Sequence, residues 1–147
     1  MEIDIRPYQS GDELKIEPVE DVLKGHPDFR KMWDRVILPE YTWTRYAGDK
    51  ILGLGGFIPY EDNAYVWIWI DKHIVNENPS IIRGIEAVET LEQIVKFAES
   101  FRFSYIWTYV KDGFRKGHKL AKFLGFEKIC QVETYWRYER RSAWLTQ

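Results

Sequence analysis

The residues with the clearest capacity for chemistry form a basic cluster in the last third of the chain. Segment 111–128 contains six cations and two acids: Lys111, Arg115, Lys116, Lys119, Lys122 and Lys128 with Asp112 and Glu127. Such a cluster can bind phosphate, nucleic acid or an acidic partner, and it is also typical of the solvated face of an amphipathic helix. The near-neutral net charge of −2 and the lack of a recognised binding module argue against nucleic acid.

The single thiol, Cys130, is the only candidate for thiol chemistry. A nucleophilic cysteine needs an activating neighbour, and no histidine lies at a helpful spacing from it. We therefore expect Cys130 to be a small buried residue in a strand. One cysteine also excludes an internal disulfide and fits a reducing compartment.

Length and composition predict one soluble, cytoplasmic domain over residues 1–147. We expect no signal peptide, since Glu2 and Asp4 open the sequence without an apolar segment, and no apolar stretch in it reaches membrane-spanning length. Aromatic residues are frequent, with 7 Trp, 9 Tyr and 8 Phe. They can fill an α/β core, or they can line a groove for a partner.

The first half of the chain predicts a strand, two helices and three further strands. Glu2–Tyr8 alternates acidic and apolar residues, as a half-buried strand does. The remaining elements follow from apolar spacing and turn residues: helices Pro18–Leu23 and Pro27–Leu38, then strands Thr42–Ala47, Lys50–Pro59 and Ala64–Ile70.

The second half predicts two helices separated by a strand, followed by two closing strands. After the polar loop Lys72–Pro79, helical spacing runs from about Ser80 to Arg102. A strand within Phe103–Val110, a helix Gly113–Leu124 and strands Glu127–Val132 and Thr134–Tyr138 complete the chain. The order β-α-α-β-β-β-α-β-α-β-β predicts an α/β (α+β) domain with a mixed sheet and helices packed against it.

Three stretches resemble the GCN5-related N-acetyltransferase (GNAT) superfamily: the opening Ile5-Arg6-Pro7, the Gly-rich strand Ile51–Gly56 and the break Leu124-Gly125-Phe126 after a basic helix. The element order matches that fold over almost the whole chain. The resemblance implies a mixed, mostly antiparallel central sheet of about seven strands flanked by about four helices. More narrowly, Trp107–Val110 and Gly125-Phe126 make the chain similar to small GNAT-like proteins of tailed bacteriophages, some of them internal virion proteins.

The resemblance implies acetyl-CoA as cofactor, bound where the fourth and fifth strands splay apart. The matching positions are Trp69, Ile70, Ile82, Arg83 and Gly84. The pyrophosphate would lie on amides at the start of the third helix, where the helix dipole favours an anion. The family pattern there is Gln/Arg-x-x-Gly-x-Gly/Ala, and Arg83 fits its first position. Glu86 and Val88 replace the two glycines, which puts repulsion and bulk against the pyrophosphate.

The resemblance also assigns roles in the tail helix. The family pattern Asn-x-x-Ala-x-x-x-Tyr falls on Phe114, Gly117 and Ala121, so the tyrosine that reprotonates the CoA thiolate is replaced. Tyr109 and His118 lie nearby in the sequence and are the candidate substitutes. Losing such an acid costs about 10²–10⁴ in rate.

A base for the acceptor amine has several candidates. Asp71 and His73 follow the fourth strand, and Glu61 and Asp62 lie on the preceding turn. Glu61-Asp62-Asn63 is also ordinary turn chemistry, and a histidine acts as a base only with a positioned partner. Asp71 is the candidate that we carry forward.

Two functions remain open from the sequence. One is an acyl-CoA-dependent N-acyltransferase that acts on an amine acceptor, or a degenerate relative of such an enzyme. The other is a non-catalytic, phage-encoded accessory or internal virion protein that binds a host or virion protein, for which the many aromatic side chains would supply the surface.

Overall fold

The computed structural model describes residues 3–16, 37–71 and 85–141 of the chain. These ranges contain seven strands and two α-helices: β1 (Ile3–Pro7), β2 (Thr42–Ala47), β3 (Lys50–Tyr60), β4 (Asn63–Ile70), α1 (Ile85–Ser100), β5 (Tyr105–Lys111), α2 (Arg115–Phe123), β6 (Glu127–Val132) and β7 (Tyr135–Arg141). Two short 3₁₀ turns, Asp12–Lys15 and Pro39–Tyr41, lie before β2.

All seven strands belong to one sheet with the order β1-β2-β3-β4-β5-β7-β6. The neighbours are antiparallel except β4 and β5, which are parallel. A parallel pair needs a crossover connection, and α1 lies in that connection. The predicted α/β class and the mixed, mostly antiparallel seven-stranded sheet are confirmed.

The described ranges contain fewer α-helices than the four predicted. The predicted helix Pro18–Leu23 and the predicted helix Pro27–Leu38 up to residue 36 lie outside the described residues, as does the loop Lys72–Pro79. Leu38 itself is extended, with φ −99° and ψ 110°. The residue before a proline is disfavoured in the helical conformation, and Pro39 follows.

Helix α1 packs on one face of the sheet through Ile94, Val95 and Ala98. These residues recur at helical spacing and are at most 4 % exposed. They cover a core of strand residues: Phe57, Ala64, Val66, Ile106, Val110 and Tyr138. The helix ends at Ser100, two residues before the predicted end, and Arg102 then turns the chain with φ 60°.

Helix α2 packs on the same face and ends at Leu124-Gly125-Phe126, as the sequence indicates. The amide of Phe126 donates to the carbonyl of Ala121 at 2.9 Å, and that of Gly125 donates to Lys122 at 3.0 Å. This is the Schellman pattern, which requires a left-handed residue at the end of the helix. Gly125 supplies it with φ 86°.

The opposite face of the sheet has a second core. Trp67 and Trp69 of β4 lie there beside Leu54 of β3. Ile16 and Ile37, from outside the strands, pack onto them. Because side chains alternate along a strand, Ile68, which lies between these tryptophans, belongs to the α1 face. The sheet is therefore buried on both sides around β3 and β4.

Strand β6 forms an edge of the sheet, and the prediction that Cys130 is buried was wrong. Cys130 is exposed, as is every other residue of β6. An edge strand has a neighbour on one side only, so its side chains meet solvent more easily than those of inner strands. The register with β7 also shifts between Lys128 and Cys130, which makes Ile129 the extra residue of a β-bulge.

Candidate functional site

Strands β4 and β5 are paired only at one end. Three bridges join them: Asn63 with Tyr105, Ala64 with Ile106 and Tyr65 with Trp107. Residues 66–70 and 108–111 continue the two strands, and within the described chain no bridge connects them. The strands therefore open beyond Tyr65 and Trp107, and we call this opening the splay.

The register of β3 and β4 shows which peptide groups face the splay. The amide of Asp71 donates to the carbonyl of Leu52 at 2.9 Å, so the backbone of Asp71 faces β3. Peptide groups alternate in direction along an antiparallel pair. Those that face the splay consequently belong to Val66, Ile68 and Ile70. An extended ligand can bond to such an open strand edge as a further strand would.

The closed end of the splay is the end at which Tyr65 and Trp107 still pair. Four aromatic side chains surround it on the face of the sheet opposite α1. The ring centroids of Tyr65 and Trp107 are 4.7 Å apart, and Tyr109 lies 6.2 Å from Tyr65. Tyr60 is 49 % exposed and stacks on Trp107 at 6.0 Å. We call Tyr60, Tyr65, Trp107 and Tyr109 the aromatic patch.

Arg137 of β7 is fixed against the aromatic patch. Its Cζ lies 4.2 Å from the ring centroid of Trp107, and its Nε donates to Oε1 of Glu139 at 3.0 Å. Burial lowers the pKa of Arg137, but hydrogen bonds with Tyr109 and Glu139 raise it, and the net pKa lies above its ordinary value. A guanidinium only donates, so Tyr109 accepts from it.

Tyr109 is the one predicted catalytic residue that lies beside the closed end of the splay. It follows the last bridged residue of β5, Trp107, by two positions and is partly buried. Its hydroxyl is held by Arg137. A phenol in this place can donate a proton to a leaving group bound in the splay.

His118, the alternative to Tyr109, lies on the other face of the sheet. Its Nε2 is 3.0 Å from the carbonyl oxygen of Lys111, and its Nδ1 is 2.5 Å from the hydroxyl of Tyr138. A carbonyl only accepts, so Nε2 carries a hydrogen, and in the neutral imidazole Nδ1 accepts from the hydroxyl of Tyr138. Both ring nitrogens therefore bond within the protein. Tyr138 is fully buried, and burial raises its pKa.

The candidate bases lie at opposite ends of β4. Asp71 follows the open end and is 5 % exposed. An extended strand rises about 3.3 Å per residue, which places Asp71 about 20 Å beyond Tyr65. Glu61 and Asp62 are exposed on the turn at the paired end. His73 lies outside the described residues.

The three tail-helix positions of the family pattern serve packing. Ala121 is 5 % exposed in the core, and Phe114 packs against that core. A Cβ on Gly117 would lie 2.8 Å from the ring of Phe114 and 2.8 Å from a methyl of Val110. The position that the family pattern gives to a general acid therefore holds a buried methyl group.

The predicted cofactor-binding residues are divided between core, strand edge and undescribed chain. Trp69 is 1 % exposed and its ring lies 4.7 Å from that of Trp67, so it belongs to the second core. The peptide group of Ile70 faces the splay. Ile82, Arg83 and Gly84 lie outside the described residues.

A shallow recess lies under α1, away from the aromatic patch. Gly53 and Gly55 form part of its floor, and Arg45 and Ile94 form part of its wall. A Cβ on Gly55 would lie 2.6 Å from a methyl of Ile94, so this glycine permits the close approach of α1. Arg45 is 7 % exposed.

Sequence reasoning did not single out Tyr60, Tyr65, Trp107 or Arg137 as site residues. The alternation Tyr65-Val66-Trp67 and Trp107-Thr108-Tyr109 does place aromatic side chains on one face of each strand. Their meeting depends on the pairing of β4 with β5, which joins residues far apart in the sequence and has no local signal.

The fold is similar to those of solved acetyltransferases. The ribosomal-protein-S18-alanine N-acetyltransferase of Escherichia coli has a TM-score of 0.69 and 13 % identity, over 96 % of this chain and 94 % of that one. A Bacillus subtilis acetyltransferase solved with CoA has a TM-score of 0.67 and 12 % identity, over 95 % and 99 %. A GNAT-family acetyltransferase of Staphylococcus aureus has a TM-score of 0.66 and 17 % identity, over 95 % and 99 %. This chain has the GNAT fold.

The likeness is one of fold. No protein-family model matches the sequence, and no curated protein matches it. The predicted GNAT resemblance is confirmed at this level, and the solved structures do not support the narrower resemblance to phage proteins. None of the helices described in this GNAT-fold chain is long and apolar enough to cross a membrane.

Proposed function

We propose that this protein is an acyl-CoA-dependent N-acyltransferase that uses an amine acceptor. The observation that carries the proposal is the splay between β4 and β5 in a sheet of GNAT topology. The Bacillus subtilis neighbour was solved with CoA, which supports a cofactor of this type.

The described residues fit the amide-containing arm of an acyl-CoA. Val66, Ile68 and Ile70 direct peptide donors and acceptors into the splay, where an extended arm can bond to them as a strand does. For the pyrophosphate the candidates are Arg83 and the backbone amides at the start of the helix that the sequence predicts from about Ser80. Glu86 opposes an anion there, so we expect weaker binding than a glycine at this position would allow.

When bound, acyl-CoA supplies a thioester, so the acceptor nitrogen gains a C–N bond while the C–S bond breaks with its electron pair on sulfur. The nitrogen must lose one proton and the sulfur must gain one. Tyr109 is the proposed donor to sulfur because its hydroxyl lies beside the closed end of the splay. Solvent water is the proposed acceptor of the proton from nitrogen, because Asp71, the base predicted from the sequence, is 5 % exposed and lies about 20 Å from the closed end of the splay. Solvent also restores the proton of Tyr109. A general acid contributes about 10²–10⁴ in rate.

A non-catalytic binding protein is the second candidate, and Ala121 is the observation that favours it. The family's usual acid is replaced there by a side chain buried in the core. In this case the GNAT fold would serve to bind a host or virion protein. A phage origin and such a partner remain predictions, and the solved neighbours lend them no support.

Thermal unfolding with and without acetyl-CoA tests the proposal. A ligand at 100 times its Kd stabilises the native state by about 2.7 kcal/mol, which corresponds to a rise in Tm of about 5–10 °C for a chain of this size. Unchanged unfolding at millimolar acetyl-CoA would contradict an acyl-CoA site. A shift without release of the CoA thiol, across a panel of amines, would favour the second candidate.

Two charge reversals locate the cofactor. Arg83→Glu should abolish the shift caused by acetyl-CoA because it places a carboxylate beside the pyrophosphate. Lys119→Glu makes the same change in net charge at an exposed position on α2 and should leave the shift intact. An undiminished shift in Arg83→Glu would remove Arg83 from the site.

A further inference from the structure

The two faces of the sheet offer different access to the splay. On the α1 face, the strand residues beside the opening are buried beneath α1 and α2: Ala64, Val66, Ile106 and Val110. On the opposite face, Trp107 and Tyr109 are partly exposed, and Tyr60 is 49 % exposed. A second reactant therefore reaches the closed end of the splay across the aromatic patch.

We infer that the aromatic patch binds the acceptor and selects a monoamine carried on an aromatic ring. This inference rests on the proposed acyl transfer at the splay. It assigns the substrate class, which neither the fold nor the cofactor determines.

The arrangement of the rings favours a planar group. Tyr60 and Trp107 are nearly parallel, with an interplanar angle of 30°, and Tyr109 meets Trp107 edge-on at 79°. Tyr60 is 49 % exposed, so a further ring can stack on Tyr60 or pack against its edge and extend this arrangement. Such aromatic pairs contribute about 0.5–1.5 kcal/mol beyond the area that they bury.

The charge beside the patch argues against a polyamine. The guanidinium of Arg137 lies 4.2 Å from the ring centroid of Trp107, so it already uses this aromatic surface as a cation. Glu139 neutralises it through a 3.0 Å hydrogen bond. Glu139 is therefore already paired and is not available to a second or third ammonium of a polyamine, which would have to reach the exposed Glu61 and Asp62 on the turn after Tyr60. A single amine on an uncharged ring needs no second carboxylate.

Four probe amines separate these possibilities: 2-phenylethylamine, 2-cyclohexylethylamine, n-butylamine and spermidine. Each is titrated into the protein in the presence of saturating CoA, and its Kd is measured by ligand-observed NMR. The cyclohexyl compound matches the phenyl compound in carbon number and lacks its π-system. We expect the phenyl compound to bind about 2- to 12-fold more tightly than the cyclohexyl one, and spermidine to bind most weakly. Equal affinity for the two ring compounds, or tighter binding of spermidine, would overturn the inference.

Substitutions at Tyr60 place the effect on the patch. Tyr60→Ala should reduce the phenyl-to-cyclohexyl preference at least about twofold, and Tyr60→Phe, which keeps the ring, should retain it. Phe123→Ala removes an aromatic side chain that is 68 % exposed on α2 and should leave the preference unchanged. A preference that survives Tyr60→Ala undiminished would show that the ring binds elsewhere.

Acetyl-CoA-induced thermal shifts on the same samples keep the two proposals distinguishable. A thermal shift with no preference for the aromatic amine leaves the acyltransferase standing and removes the aromatic acceptor. A preference for the aromatic amine without any thermal shift supports the aromatic site and removes acyl-CoA as its partner.

Discussion

His118 and Tyr138 share a hydrogen bond of 2.5 Å that ties α2 to β7. Removal of the imidazole takes away the acceptor of the Tyr138 hydroxyl. Tyr138 is 0 % exposed, so this hydroxyl is then a buried polar group without a partner. A buried polar group without a partner costs about 1–3 kcal/mol. We expect His118→Ala to lower the free energy of unfolding by at least that amount, measured by urea denaturation.

A double-mutant cycle separates the hydrogen bond from the packing of the two rings. Tyr138→Phe removes the hydroxyl, and the His118→Ala/Tyr138→Phe pair should lose less than the sum of the single losses, by about 0.5–3 kcal/mol. Strict additivity would mean that the two residues do not interact. The shift caused by acetyl-CoA should persist in Tyr138→Phe, since Tyr138 lies on β7 and β5 separates it from the splay.

Gly117→Ala should destabilise the protein although alanine favours helices. Alanine gains about 1 kcal/mol over glycine in a helix interior. Here its Cβ would lie 2.8 Å from both Phe114 and Val110, and overpacking costs about 1–3 kcal/mol. The urea midpoint should fall. Lys119→Ala, exposed on the same helix, should move stability by no more than about 0.5 kcal/mol, and a stabilised Gly117→Ala would show that α2 can shift away from β5.

Tyr109→Phe tests the proposed acid. The change keeps the ring in the aromatic patch and removes the hydroxyl that Arg137 holds. We expect kcat to fall about 10²–10⁴-fold, while the thermal shift with acetyl-CoA is unchanged. A variant with wild-type kcat would exclude Tyr109 as the donor.

The strand predictions succeeded where the signal was local. Alternation defines β1, turn residues end β2 and β3, and the apolar run of β4 ends close to its predicted boundary. The end of α2 at Leu124-Gly125-Phe126 was predictable because a helix commonly ends at a residue with left-handed φ and ψ, which glycine adopts most easily.

The site was less predictable because its parts meet through pairing between distant segments. Tyr109 and His118 are close in the sequence, and alternation of β5 with the turn into α2 sends them to opposite faces of the sheet. Cys130 was expected to be buried because it is a small apolar residue in a predicted strand, and only the strand order shows that β6 is an edge. Arg137 reaches Trp107 because β7, and not β6, pairs with β5.

Alkaline pH should weaken the fold through Tyr8. Burial and the hydrogen bond to Glu13 raise the pKa of Tyr8 to about 12, against about 10 in an unfolded chain. Between these values the native state keeps a proton that the unfolded state loses, so this contribution is complete below pH 10 and disappears as pH rises to 12.

The comparison of wild type with Tyr8→Phe isolates this contribution. Urea midpoints measured from pH 8 to pH 12 should fall less steeply for Tyr8→Phe, since lysines and other tyrosines titrate equally in both proteins. Identical slopes would mean that the hydroxyl of Tyr8 titrates alike in the native and unfolded states.

The bulge at Ile129 affects whether copies of this protein associate through their sheet edges at high concentration. An unpaired strand edge recruits other strands when it is flat and regular. On the edge strand β6, the extra residue Ile129 interrupts the regular spacing of backbone donors and acceptors. At the other edge of the sheet, β1 carries the Asp4–Arg6 ion pair and ends at Pro7, which has no amide hydrogen to donate. We therefore expect a concentrated solution to resist the edge-to-edge growth that leads to fibrils.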